Sequence, residues 1–320
     1  MRRSDTFHAL DLLLHIFHDK IGCGTIRGCK CHIYGDSILI IDIDFIDKAE
    51  IIYIDRDLWI VNRTGMRTNT YFLSDLHLGT HSVSPAERLD RERRVVRWLD
   101  TVKDDASVIY LLGDILDYWY EYKHVVPRGF TRFFGKIAEL TDSGVEVHWF
   151  IGNHDIWIFD YLPSELGVIV HKSPCLVSLG RYTAYLAHGD GLGRTPFSFR
   201  IIRSVFHSRI CQILYSAIHP RWTVAFAHRW SSHSRKHGND LPYQGEENEF
   251  LVRYAKEYRR ENPSPHIDFF IFGHRHILLD LMIARDCRVL ILGDWIQHFS
   301  YARFDGEQLF LEQYIEGDSQ

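Results

Sequence analysis

Seven residues of the 320-residue chain offer oxygen or imidazole donors at spacings that suit metal coordination: Asp75, His77, Asp114, Asn153, His188, His274 and His276. No thiolate joins them. A mixed oxygen–imidazole set suits borderline divalent ions such as Mn, Fe or Zn. They stand in short motifs: Asp75-Leu76-His77, Gly113-Asp114-Ile115-Leu116-Asp117, Gly152-Asn153-His154-Asp155, His188-Gly189-Asp190 and Gly273-His274-Arg275-His276. Alternate residues on an extended backbone share a side. Asp75 and His77 can therefore grip one ion, and His274 with His276 again places two ligands at i and i+2. Asp114 lies in the middle of the series and can bridge two. Ions about 3.5–4 Å apart clamp the attacking and leaving oxygens of an in-line displacement at phosphorus. His154 is a spare imidazole that can stabilise or protonate a leaving oxygen, oriented by Asp155 or a neighbour. Asp117 is placed to orient a ligand histidine. Any one of these histidines alone reads as structural; the joint pattern makes the site.

Each motif ends an apolar run: Tyr71 to Leu73, Val108 to Leu112, Val145 to Ile151, Ala184 to Ala187 and Phe269 to Phe272. Such runs read as buried strands. A carboxylate at the end of one, as at Asp114, is costly unless a positive group meets it. Five runs ending in this way imply strand ends that converge on one rim, where sheet proteins place their sites. Between them, residues 85–103 and a stretch reaching about Leu140 read as helices, the first turning Val95, Trp98, Leu99 and Val102 inward. Strands are expected again near 278–283 and 288–292, with a closing meander at 299–315.

The net charge of −5 excludes wholesale nucleic-acid binding. Six scattered cysteines form no framework and read as reduced thiols of a cytoplasmic protein. No run is long enough to span a bilayer. Residues 1–65 carry no ligand motif. Met1 to Lys20 has a helical apolar spacing, and 38–61 alternate isoleucine with aspartate as strands do. They are expected to be an upstream extension whose natural start is Met66, or else an accessory hairpin. Residues 66–320 are expected to form the functional domain.

Residues 194–236 hold eight Arg or Lys and no Asp or Glu, interleaved with apolar and aromatic residues. This predicts two basic amphipathic helices, one on each side of His219-Pro220, within an insert spanning 194–240. The insert reads either as a cap with a basic outer face or as a lid that touches anionic lipid. Candidate substrate contacts are Arg194 and Arg200 of the insert, Tyr118 and Trp119 after Asp117, and Arg128 before a helix start, where a phosphate can be gripped.

In their order, the five motifs resemble those of the calcineurin-like metallophosphoesterases over about residues 69–300. The resemblance implies an α/β fold, a four-layer α/β/β/α sandwich with an inserted helical lid. It also implies a dinuclear site: one ion on Asp75, His77, Asp114 and His276, the other on Asp114, Asn153, His188 and His274. Within that family the chain is similar to the UDP-2,3-diacylglucosamine pyrophosphohydrolases, through Ser74 to Gly79, Gly113 to Trp119 and the basic insert. That similarity implies hydrolysis of a UDP-linked lipid to a lipid sugar 1-phosphate and UMP, peripheral on an inner membrane. One position departs: the best-known members carry Arg where this chain has His154, and generic members of the superfamily carry His. Two alternatives follow, a phosphoesterase of a soluble nucleotide, phosphodiester or phosphoprotein, and a non-catalytic scaffold whose insert binds a partner.

Overall fold

A computed structural model describes residues 67–193, 195–223 and 242–316, together with four short strands nearer the N-terminus. The chain separates into two units, Met1–Met66 and Arg67–Gln320. In the first, β1 (Lys30–Tyr34), β2 (Ser37–Ile41), β3 (Ile51–Asp55) and β4 (Leu58–Asn62) pair antiparallel in sequence order. The Ile–Asp alternation marks β2 to β4; β1 adds a strand that the pattern did not single out. The helical spacing of Met1 to Lys20 lies outside the described residues.

In the second unit, β5 (Asn69–Leu73) leads to α1 (Pro85–Val102), then β6 (Ala106–Leu112), α2 (Thr131–Asp142) and β7 (Glu146–Phe150). There follow α3 (Tyr161–Leu166), β8 (Ile169–His171), β9 (Cys175–Leu179) and β10 (Tyr182–Ala187). The insert contributes α4 (Phe197–His207) and α5 (Arg209–Ser216), and α6 (Phe250–Glu261) brings the chain back. The last strands are β11 (Phe269–Phe272), β12 (Leu278–Ala284), β13 (Cys287–Leu292), β14 (Ser300–Phe304) and β15 (Leu309–Gln313).

They form a six-stranded sheet, β15-β14-β5-β6-β7-β8, and a five-stranded sheet, β12-β13-β11-β10-β9. Side chains alternate between faces with period two, and that alternation builds four layers. On β6, Tyr110 and Leu112 join Phe72, Phe150, Leu186, Ile271 and Leu290 in the core between the sheets. Ile109 and Leu111 face the other way, onto Trp98, Leu99, Phe133 and Ile137 of α1 and α2. On β11, Ile271 points between the sheets, whereas Phe270 and Phe272 pack on Leu251, Val252 and Ala255 of α6.

Helix starts are fixed locally. Ser84 caps α1 by accepting the Glu87 N–H at 3.2 Å, and Pro85 occupies the first turn, where its missing N–H costs nothing. The first turn of α2 borrows its cap: Glu92 of α1 accepts the N–H groups of Arg132 and Phe133. In the insert, the expected first helix divides at Ser208, whose extended backbone (ψ 122°) ends α4 and starts α5. The second expected helix, beyond Thr223, lies outside the described residues. Among the described residues, no helix is long and apolar enough to cross a membrane.

Candidate metal centre

The C-terminal ends of β5, β6, β7, β10 and β11 turn into the five motifs, and their loops are stitched to one another by backbone hydrogen bonds. Asp75 N–H donates to the Gly113 carbonyl (3.1 Å), His77 N–H to that of Asp114 (3.0 Å), and Gly273 N–H to that of His188 (2.9 Å). The fit is close enough to require glycine. A Cβ on Gly152 would lie 2.2 Å from Asp114 Oδ1, and one on Gly273 would lie 2.6 Å from Asp75 Oδ2. Asp75, His77, Asp114, His274 and His276 all adopt positive φ, between 43° and 69°. Non-glycine residues pay a conformational penalty there and gather at functional sites.

Three groupings occur among the described residues: Asp75–His77–His276 and Asp114–His188–His274 hold the expected donors, and a third joins His77 to Asp117 and His154. In the first, His276 Nε2 lies 3.3 Å from Asp75 Oδ1 and 3.3 Å from His77 Nε2. In the second, His188 Nε2 lies 3.3 Å from Asp114 Oδ2 and 3.2 Å from Asn153 Oδ1. Asp114 Oδ2 also lies 3.8 Å from His77 Nε2, so one carboxylate oxygen addresses both clusters. The seven expected donors are therefore gathered, and the core of the set is sealed from solvent: Asp75 is 0% exposed, His77 and Asp114 1%.

Three of the imidazoles are locked with their lone pairs inward. Nδ1 of His77 faces Asp117 Oδ1 (3.2 Å), that of His188 faces the Leu112 carbonyl (2.8 Å), and that of His276 faces Asp294 Oδ2 (3.5 Å). These partners only accept, so each Nδ1 carries the proton and each Nε2 presents a lone pair. Lone pairs then meet across the His77–His276 and His188–Asn153 gaps, and a positive charge has to sit in each. Among the ligands, Asp75 Oδ1 in one cluster and His274 Nδ1 in the other are buried without a hydrogen-bond partner. Donor separations of 3.2–3.9 Å are close to the edges of a coordination sphere with bonds of about 2.1 Å. The residues present fit two divalent cations.

Without a cation, protons fill the gaps. Burial pushes His276 down, but Asp294 and Asp75 outweigh it and raise it to about 10. Burial likewise opposes His188, and the Asp114 carboxylate holds it well above the ordinary range. Burial would raise Asp114, but His188, His154 and His77 hold it well below the usual carboxylate range. His274 lacks a carboxylate at hydrogen-bond distance; burial and then His188 lower it to about 4.

His154 stands at the edge of the pair. Its backbone N–H donates to Asp114 Oδ1 (2.8 Å), its Nδ1 lies 3.0 Å from the Asp117 carbonyl, and its Nε2 is 4.0 Å from Asp114 Oδ2. Asp117 thus serves both His77 and His154. Of the two orienting groups expected for His154, Asp155 or a neighbour, Asp155 is the one that needs correction. Asp155 is wholly buried and accepts the N–H groups of Gly152 (2.7 Å), Ile115 and Leu116 and the indole N–H of Trp149. It fixes the shape of two ligand loops, and the orienting neighbour is Asp117.

The candidate substrate contacts divide. Trp119 is fully buried, donates to Glu121 Oε1 (3.1 Å) and packs on Phe134. It belongs to the core, which corrects its expectation as a substrate contact. Tyr118 is nearly buried, and its hydroxyl meets that of Tyr215 on α5 at 3.2 Å. Tyr120 donates to the Gln212 carbonyl (2.6 Å), and Tyr122 meets Thr223. The aromatic run is the dock of the insert. Arg128 is exposed beside Phe130, whose ring covers Gly79. Arg200 is exposed on α4, and Arg194 lies outside the described residues.

Sequence reasoning missed two partners of the ligands. Asp294, which follows the β13 run and Gly293 in the same pattern as the other motifs, orients His276 and accepts the N–H groups of Ile296, Gln297 and His298. The run-then-carboxylate signal was there to be read. Arg275, between the two ligand histidines, is buried against Glu249 (3.1 Å) at the start of α6, and no local pattern announces that pair.

The profile of the Metallophos family, described as calcineurin-like phosphoesterase, matches residues 68–278. A UDP-2,3-diacylglucosamine hydrolase of Porphyromonas gingivalis is 46% identical over 261 residues, 77% of this chain and 98% of that protein. One from Shewanella baltica is 26% identical over 247 residues, 76% of this chain and 96% of that protein.

Proposed function

The chain belongs to the calcineurin-like phosphoesterases, and from that premise we propose that it hydrolyses the pyrophosphate bond of UDP-2,3-diacylglucosamine, releasing lipid sugar 1-phosphate and UMP for lipid A biosynthesis. The observation that carries the substrate is the 46% identity to a hydrolase so named over 98% of that relative's length. The complete donor set supports the chemistry. Two divalent ions, Mn, Fe or Zn, suit Asp75, His77, Asp114 and His276 on one side and Asp114, Asn153, His188 and His274 on the other. When bound they supply Lewis-acid polarisation of a phosphoryl oxygen and make water a better nucleophile at neutral pH.

The chain's own groups do the rest. Asp117 holds His77 and His154 in register. His154, with its Nδ1 on the Asp117 carbonyl, turns Nε2 toward the site, within reach of the leaving oxygen, to which it would donate as an imidazolium. The insert presents Phe197, Ile201, Ile210, Ile213, Leu214 and Trp222 exposed. So much exposed apolar surface on basic helices suits acyl chains and an anionic leaflet, and supports peripheral attachment to the membrane that carries the substrate.

His154 favours a second reading, a soluble phosphodiester or nucleotide substrate. A Mn-supplemented assay decides between them. Detergent-solubilised UDP-2,3-diacylglucosamine should yield UMP with wild type, and His154→Arg should retain some of that activity. If the lipid stays intact while a soluble nucleotide diester is cleaved, the second reading replaces the first.

A further inference from the structure

A cleft opens beside the second cluster. Its inner wall is Gly152 and His188 of the ligand loops; its outer walls are His171 at the end of β8, Lys172 after it, and Arg203 and His207 of α4. None of the last four has a part in the chemistry above. Arg203 closes one end, donating to the Asp190 carbonyl (2.9 Å) and facing the Asp190 carboxylate (3.3 Å). It thereby ties α4 to the loop that carries His188. Lys172 and His207 are exposed. His171 is a fixed flat ring. It stacks on Phe150 at 4.4 Å and 15°, and its Nε2 meets His148 Nδ1 at 2.8 Å. Burial, and then His148, lower its pKa, so the ring is neutral near pH 7.

The two flanks of the centre therefore differ in chemistry. One, where Tyr118, Tyr120 and Tyr122 meet α5, is aromatic and continues into exposed Ile210, Ile213 and Leu214. The other is this polar cleft with a held ring, where Lys172 stands beside the Arg203–Asp190 pair and the His207 imidazole, which burial and then Arg203 shift down. A pyrophosphate that joins a lipid sugar to a nucleoside has ends of the same two kinds. We propose that the cleft is the subsite for the nucleotide end of the substrate. Lys172 and His207 meet the phosphate and ribose oxygens, and His171 offers its ring to the pyrimidine. The assignment rests on the UDP-linked lipid reading of the site; the chemistry it names is a pyrimidine nucleoside monophosphate.

The test is calorimetric titration of UMP, and separately of the lipid sugar 1-phosphate, into the full-length protein loaded with Mn. Wild type, the double variant Lys172→Met/His207→Gln and the distant surface variant Arg260→Ala are compared. Exposed charges contribute modestly, so the double variant should weaken UMP about tenfold and raise KM for the UDP-linked lipid in parallel. Its affinity for the 1-phosphate should stay within about twofold, and Arg260→Ala should change neither. Equal loss of both ligands would mean a general field effect and overturns the subsite, as does unchanged UMP affinity or wild type that binds no UMP. Wild type that binds UMP through these residues yet leaves the lipid intact keeps the subsite and discards the lipid substrate.

Discussion

Replacing Asp117 by Asn tests the idea that one carboxylate sets the geometry of the first cluster. The side chain is almost wholly buried, with Oδ1 3.2 Å from His77 Nδ1 and 3.8 Å from His154 Nδ1. The amide keeps the volume, so no cavity forms. It can still accept from His77, but as a neutral group. A hydrogen bond to a charged partner contributes about 1.5–3 kcal/mol and is about twice as strong as a neutral one. The loss is therefore about 1–1.5 kcal/mol, close to tenfold in an equilibrium constant. That falls at the lower end of the 10–100-fold cost typical of groups that orient metal-binding histidines. Competitive chelator titration with Mn should show the Asp75–His77–His276 centre about tenfold weaker and the Asp114–His188–His274 centre nearly unchanged. The reasoning fails if both centres weaken alike, or if neither does while the protein melts normally.

Two further outcomes follow from the same geometry. His276 is raised to about 10 in the metal-free protein. Its folded pKa exceeds its unfolded value, so the stability it adds is full below about 6.5 and is lost as pH rises through 10. Metal must displace that proton. Affinity should therefore rise toward alkaline pH with proton release on binding, measurable by calorimetry in buffers of different ionisation enthalpy; pH-independent binding would contradict it. Gly152→Ala places a methyl 2.2 Å from Asp114 Oδ1 and 2.4 Å from its backbone nitrogen. Metal stoichiometry should fall well below that of wild type although the far-UV spectrum is kept, and a fully loaded variant would refute the close approach.

The four layers were legible only through the family resemblance: Val108 to Leu112 is apolar throughout, so the run marks a strand buried on both faces, and it is the packing that sets Tyr110 and Leu112 on one side and Ile109 and Leu111 on the other. The donors were legible because each follows directly on such a run. The roles of Asp155 and Trp119 were not. A carboxylate beside a histidine looks the same in sequence whether it meets that histidine or, as here, the amides of a loop forty residues earlier. An indole beside a site looks the same whether it faces the cleft or the core. The break at Ser208 was equally hidden, since apolar spacing continues across it and only the backbone turn divides α4 from α5.

Each cluster draws from both sheets. Asp75 and His77 follow β5 of the six-stranded sheet, whereas His276 follows β11 of the other; Asp114 follows β6, and His188 follows β10. A cation in either cluster is consequently a rivet through the two plates of the sandwich. A ligand that binds only the folded chain adds its binding free energy to stability, about 4 kcal/mol at a thousandfold excess over Kd. Chelation should then act on this rim as a local denaturant, loosening the catalytic edge while the apolar seam around Leu179 and Phe304 still holds the far side shut.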